Sequence, residues 1–133
     1  MSTPDSAVLP FRYERPPLTS NQRGSWRTRQ RWSKVLRHQT KVMALAAGLA
    51  GLGRCRVTLT WYVADRRRRD ADNVVPTLKA MCDGLVDAGV VTDDTPELMD
   101  KLMPRIAYEQ GGAFRLELLV EAHGAEEPLD EAG

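Results

Sequence analysis

The chain lacks the features that mark membrane proteins and secreted proteins. No apolar run approaches the ~18 residues of a membrane-spanning helix, and the N-terminus has neither the basic start nor the apolar core of a signal peptide. Only two cysteines occur, Cys55 and Cys82, and they have neither C-x-x-C nor metal-ligand spacing. These absences argue against a disulfide framework and predict a cytoplasmic protein that does not enter a membrane.

The N-terminal half of the chain has few acidic residues, and the C-terminal half has few basic residues. Residues 1–70 contain 15 Lys or Arg against 4 Asp or Glu, whereas residues 71–133 contain 4 against 14, so the net charge of +1 hides a dipolar sequence. A basic half favours a polyanionic partner, and clustered carboxylates in an acidic half favour a bound cation.

The 133 residues are enough for one domain with a single core. We place this domain at residues 8–122, between a polar tail at 1–7 and an acidic tail at 123–133, both predicted to be mobile. The elements run β-α-β-α-β-β, with segments at residues 8–13, 26–50, 54–63, 98–109 and 114–121 and a second helix that follows the charged segment 65–73 and ends at Ala88-Gly89. Pro104 predicts an edge or a bulge, and Gly111-Gly112 predicts a hairpin. The fold class is therefore α/β (α+β), a small mixed sheet with two packed helices.

The first helix carries a basic stripe. Ser25 offers an N-cap, and cationic residues then recur at steps of four and three along one face. Its members are Arg27, Arg31, Lys34, His38 and Lys41. Such a stripe is typical of a surface that contacts backbone phosphates, and Arg67 and Arg69 of the later Arg66–Arg69 run are predicted to do the same.

Four aspartates stand at the two ends of the second predicted helix: Asp70, Asp72, Asp93 and Asp94. Oxygen donors without nearby His or Cys favour Mg²⁺ over zinc. For each aspartate alone the alternative stays open, because Asp72 or Asn73 could cap the helix and Asp93-Asp94 could support a turn.

The spacing of these residues resembles a known family. The elements are Arg69-Asp70-Ala71-Asp72-Asn73, Lys79-Ala80, Asp83-Gly84-Leu85 and Ala88-Gly89-Val90-Val91-Thr92-Asp93-Asp94. Together with Pro16-Pro17-Leu18-Thr19-Ser20-Asn21, they resemble the RusA family of Holliday junction resolvases over roughly residues 8–122.

The resemblance implies a homodimeric endonuclease that uses Mg²⁺, with Mn²⁺ as a substitute, to hydrolyse phosphodiesters at four-way DNA junctions. Members of the family act in DNA recombination and repair and often come from phage or prophage genes. The family's essential carboxylates, which are metal ligands, match Asp70, Asp72 and Asp94, and its essential lysine matches Lys79.

The lysine spacing departs from the family pattern. The commoner form places the lysine four residues after the second aspartate, whereas Lys79 follows Asp72 by seven. Because Val75 precedes Pro76 and is biased away from helical angles, we expect the extra residues to lengthen the loop before the helix. Lys79 would then stay within reach of the metal site.

Two other functions remain open on the sequence. The chain could be a non-catalytic nucleic-acid-binding protein of the same fold, which has lost cleavage through the three-residue insertion. It could also be a cation-stabilised module with a protein partner. Metal-dependent cleavage of DNA would distinguish a nuclease from the non-catalytic binding protein. Absence of salt-sensitive DNA binding would favour the module with a protein partner.

Overall fold

A mixed five-stranded sheet forms the framework of the computed structural model, which describes residues 4–20 and 24–123. Two helices pack on one face of this sheet, as the sequence predicted. The elements are β1 (Ser6–Phe11), α1 (Trp26–Ala46), β2 (Cys55–Val63), α2 (Val75–Asp87), β3 (Met99–Lys101), β4 (Arg105–Tyr108) and β5 (Arg115–Ala122).

Strand β5 lies inside the sheet, between β1 and β2, and is antiparallel to both. Its alternating Leu116, Leu118 and Val120 are fully buried, as expected for a strand in a central position of the sheet. The predicted hairpin between residues 98–109 and 114–121 is therefore wrong. The chain does turn at Gly111, but β4 and β5 pair with opposite sides of β2.

The predicted strand at residues 98–109 is two short strands on the other side of β2. Both β3 and β4 run parallel to β2, and Pro104 lies in the gap between them. This confirms the edge position inferred from Pro104, because proline cannot supply a ladder hydrogen bond. Parallel neighbours need a long connection, and α2 provides it between β2 and β3.

Helix α1 begins where the sequence predicted and ends earlier. The side chain of Ser25 accepts the N–H of Thr28 as an N-cap, but the helix stops at Ala46 rather than near residue 50. Leu36, Thr40 and Ala44 form its buried face.

The start of α2 differs from the prediction. A 3₁₀ turn, Ala71–Val74, leads directly into α2, and Val75 itself has helical angles (φ −55°, ψ −42°). The extra residues before Lys79 are thus helical and do not lengthen a loop, because Pro76 occupies the first turn, where its missing N–H costs nothing.

The first and last strands along the described chain are β1 and β5. Ser6 and Ala7, placed in the tail by sequence, belong to β1 and pair with Glu121 and Val120. At the other end, β5 stops at Ala122, and the predicted tail from residue 124 onward lies outside the described residues. Within those residues, no helix has the length and apolar character needed to cross a bilayer.

Candidate functional site

Asp70 and Asp72 present their side chains at the start of the 3₁₀ turn. Asp70 stands at the N-cap position of the turn without a side-chain cap bond, and both residues are solvent-exposed. In the part of the chain that the structure describes, neither carboxylate makes a hydrogen bond or an ion pair. The helix-capping alternative for Asp72 is therefore not what the structure shows, and both carboxylates face solvent as free oxygen donors.

A segment of the N-terminal loop fixes the backbone beside these carboxylates. The N–H of Ser20 donates to the carbonyl oxygen of Asn73 at 3.3 Å, and the Ser20 hydroxyl donates to the carbonyl oxygen of Asp72 at 3.2 Å. Deeper in the protein, Leu18 forms two hydrogen bonds with Thr77 of α2. The loop thus holds the acidic turn without using its carboxylates.

Asp94 is already bound to a cationic group. Its Oδ2 accepts a hydrogen bond from Nζ of Lys101 at 3.0 Å, and both side chains are about one-third exposed (31% and 32%). This hydrogen bond lowers the pKa of Asp94, and the charges of Lys101 and Lys79 lower it further. The Asp94 N–H also bonds to the carboxylate of Asp93 at 2.8 Å, so Asp93 supports the turn.

Lys79 is exposed on α2. Its charge contributes to the lowered pKa of Asp94, although the two form no ion pair within 4 Å among the described residues. Lys79 and Asp83, four residues apart on α2, likewise form no ion pair there. The charge of Asp83 acts instead on Lys101 and on Arg37 of α1.

The three candidate metal ligands are not gathered into one cage. No group of three His, Cys, Asp or Glu side chains in residues 4–20 and 24–123 is arranged to hold a metal ion. Mg²⁺, however, commonly takes one or two carboxylates and completes its octahedron with water and substrate phosphates. Free oxygens on Asp70 and Asp72, and a carboxylate on Asp94 that already attracts a cation, fit this mode of binding.

Arg69 is used inside the protein. Its guanidinium pairs with Asp65 at 2.8 Å and donates to the carbonyl oxygens of Asp65 and Arg67, which leaves the side chain only 12% exposed. It also lies over the rings of Trp61 and Phe114, at 5.1 and 5.8 Å from their centroids. Arg69 therefore shapes the loop that leads to Asp70, and its guanidinium is not free for the predicted phosphate contact.

The other arginines of the run project outward from this loop. Arg66 stacks on Tyr108 at 4.0 Å, whereas the side chains of Arg67 and Arg68 are exposed and form no ion pair in the described chain. A cleft of about 520 Å³ opens beside Arg67 and Arg69, and its lining also includes Glu14, Arg15 and Asp65. The cleft therefore carries charges of both signs, and the freely exposed cations of this run are Arg67 and Arg68.

The basic stripe of α1 is solvent-exposed over most of its length: Arg27, Arg31, Lys34 and His38 are exposed, and Lys41 is half-buried. The stripe therefore forms a surface that a polyanion can reach along the exposed face of α1.

Lys101 is the residue that sequence reasoning missed. The acidic half contains only four basic residues, Lys79, Lys101, Arg105 and Arg115, and two of these act on Asp94. Because cations are scarce in that half, each of them is a candidate partner for the clustered aspartates, and this was the available signal for Lys101. Lys101 was not identified because it lies on β3, a three-residue strand that is too short to show an alternating pattern.

Comparisons with known proteins supply no relative. No protein-family model matches the chain, and no curated protein matches it at a significant level. A function for this chain must therefore be inferred from its own residues and from the resemblance that they carry.

Proposed function

We propose that this protein is a Mg²⁺-dependent, structure-selective DNA endonuclease that hydrolyses phosphodiesters at four-way junctions, in the manner of the RusA family. The observation that carries the proposal is the order and spacing of Asp70, Asp72, Lys79 and Asp94 in the sequence, together with the unpaired carboxylates of Asp70 and Asp72 in the described chain. The proposed enzyme is a homodimer, since two symmetric nicks need two active sites. Its proposed place of action is the cytoplasm.

Each residue has a defined task under this proposal. Asp70, Asp72 and Asp94 would hold Mg²⁺, which supplies a polarised phosphoryl oxygen and an activated water. Lys79, exposed on α2, would stabilise the negative charge that develops on the phosphoryl oxygens.

DNA contacts are assigned to the exposed cations. Arg27, Arg31 and Lys34 would hold backbone phosphates along α1, and Arg67 would do so beside the acidic turn. Because the guanidinium of Arg69 is bonded to Asp65, we assign Arg69 to positioning of this loop.

The decisive experiment incubates the purified protein with a labelled four-way junction and with a linear duplex of the same sequence, with and without Mg²⁺. We expect symmetric nicks near the branch point of the junction, only with Mg²⁺, and little cutting of the duplex. Lys79→Ala should lose cleavage while it keeps its circular dichroism spectrum and its metal-independent DNA binding. Equal cutting of both substrates would contradict structure selectivity.

A second candidate function is non-catalytic binding of branched DNA. It is favoured by one observation, that the three carboxylates are not gathered into a cage in the described chain. Tight junction binding without cleavage in either Mg²⁺ or Mn²⁺ would establish this alternative and reject the nuclease.

A further inference from the structure

The ion pair between Lys101 and Asp94 joins two backbones that are each held firmly. Lys101 pairs with Val57 in the sheet, and the N–H of the next residue, Leu102, donates to the Val57 carbonyl oxygen at 3.0 Å. Between the two partners, the carbonyl oxygen of Thr95 accepts the N–H groups of Leu98 and Met99. A closed turn therefore sets the distance between the ammonium and the carboxylate.

Two groups of α2 also act on the Lys101 ammonium, Cys82 and Asp83. The Cys82 thiol is buried, and burial raises its pKa to about 12 and so keeps it neutral. Asp83 adds a second negative charge. Burial disfavours the charged form of Lys101, but the hydrogen bond to Asp94 and the nearby negative charges outweigh it, and the pKa of Lys101 is raised.

The pair has little value as a structural link. Partly exposed ion pairs contribute little to folding stability, and the two residues are only seven positions apart along one chain segment. The pair of Arg37 with Asp87 is of a different kind, because it is bidentate and joins α1 to α2. The position of the Lys101 ammonium is thus more consistent with a role at Asp94 than with stabilisation of the fold.

We propose that Lys101 is the positioning residue of Asp94: its ammonium group occupies the cation position at this carboxylate and exchanges with the divalent ion that binds there. This inference rests on the proposed function, since it requires Asp94 to be a metal ligand. Lys101 holds the carboxylate in place before the metal arrives and also competes with the metal. The exchange makes the affinity of the site for divalent ions weaker than the carboxylates alone would give.

The test measures binding of Mn²⁺ to the full chain without DNA, by calorimetry or by the electron paramagnetic resonance signal of free Mn²⁺. Lys101→Met should bind Mn²⁺ about two- to fivefold more tightly than the wild type, the range expected for loss of one partly exposed ion pair. Lys101→Arg keeps the cation and should restore the wild-type affinity.

A control variant is available close to Lys101. Arg56 of β2 and Asp100 of β3 form an ion pair of 2.9 Å, with exposures of 39% and 37%, and it does not involve Asp94. The ring of His123 also contacts this pair. Arg56→Met therefore removes another partly exposed cation from the same region, and the affinity for Mn²⁺ should stay at the wild-type value. An equal gain in Arg56→Met would show a general charge effect and would overturn the proposal.

Amine labelling gives an independent readout. Addition of Mn²⁺ should increase the acetylation rate of Lys101 several-fold, measured by mass spectrometry, because a side chain released from Asp94 is open to the reagent and can lose its proton to solvent to give the reactive neutral amine. Lys34, on the exposed face of α1, serves as the internal reference and should not change.

The outcomes separate this inference from the proposed function. If Asp94→Asn abolishes Mn²⁺ binding but Lys101→Met leaves the affinity unchanged or weaker, the exchange is rejected and the metal site stands. If Asp94→Asn leaves Mn²⁺ binding unchanged, or the wild type and Lys101→Met both fail to bind, the metal site and the exchange are both rejected.

Discussion

Thr77 and Leu18 are joined by two hydrogen bonds in the protein interior. The Thr77 hydroxyl donates to the Leu18 carbonyl oxygen at 2.7 Å and accepts the Leu18 N–H at 3.1 Å. Both residues are buried, so this pair satisfies two backbone groups that water does not reach. It also anchors the loop that bonds to Asp72 and Asn73.

Replacing Thr77 by Val should therefore destabilise the protein by about 1–3 kcal/mol, because the shape is kept while buried polar groups lose their partner. Urea unfolding followed by circular dichroism measures this change. Thr60→Val is the control, since Thr60 is buried on β2 and its hydroxyl has no partner among the described residues. Equal effects of the two substitutions would show that the Leu18 bonds contribute nothing.

Substitution of the candidate metal ligands should reduce junction cleavage without weakening DNA binding. Asp70→Asn, Asp72→Asn and Asp94→Asn should each reduce junction cleavage by about 100-fold or more, while binding is retained or strengthened. The physical reason is that each change removes a ligand charge and also removes repulsion of phosphate. Glu97→Gln, an exposed carboxylate three residues after Asp94, should cut normally. Full activity in any two of the three variants would reject the metal site.

Salt dependence should identify the DNA-contacting stripe. Each phosphate contact is expected to add about 0.9 to the slope of log affinity against log salt. Arg27→Ala, Arg31→Ala and Lys34→Ala should each make the slope shallower by about that amount, as gel-shift titrations at several salt concentrations would measure. Unchanged slopes in all three variants would mean that the stripe is only a solvated surface.

Arg67 and Arg69 should behave differently although they are two residues apart. Arg67→Ala should weaken DNA binding without changing the free energy of unfolding, because its side chain is exposed. Arg69→Ala should lower thermal stability, since it removes the Asp65 pair and the packing over Trp61 and Phe114. A double-mutant cycle with Asp65→Asn should show coupling between Asp65 and Arg69. Additive effects would contradict the loop-shaping role.

Stability should fall at acidic pH through Asp87. The hydrogen bond from Arg37 lowers the pKa of Asp87, so the folded state binds a proton there less readily than the unfolded state. The contribution of the pair is thus complete above the unfolded pKa of about 3.9 and is lost as pH falls through the lower folded value. Asp87→Asn should reduce the free energy of unfolding at pH 7 and have little effect near pH 2. An equal loss at both pH values would reject this assignment.

The sequence by itself determined the local structure. The strands predicted at residues 54–63 and 114–121, the Ser25 cap of α1 and the edge position implied by Pro104 are all present. These features depend on neighbours within a few residues, because the period of apolar side chains and the local capping groups set them. The motif that contains Asp70, Asp72, Lys79 and Asp94 was also readable, since its members lie within 25 residues of sequence.

Only the tertiary structure decided which segments meet. An alternating strand shows which of its faces is buried but not which strand lies beside it, so the insertion of β5 between β1 and β2 was missed. The roles of charged residues were decided in the same way. Lys101 reaches Asp94 because β3 pairs with β2, and Arg69 turns inward because Asp65, Trp61 and Phe114 surround it. The sequence shows the sign of each charged side chain. Whether that side chain binds a ligand or another part of the protein depends on its neighbours in the folded structure.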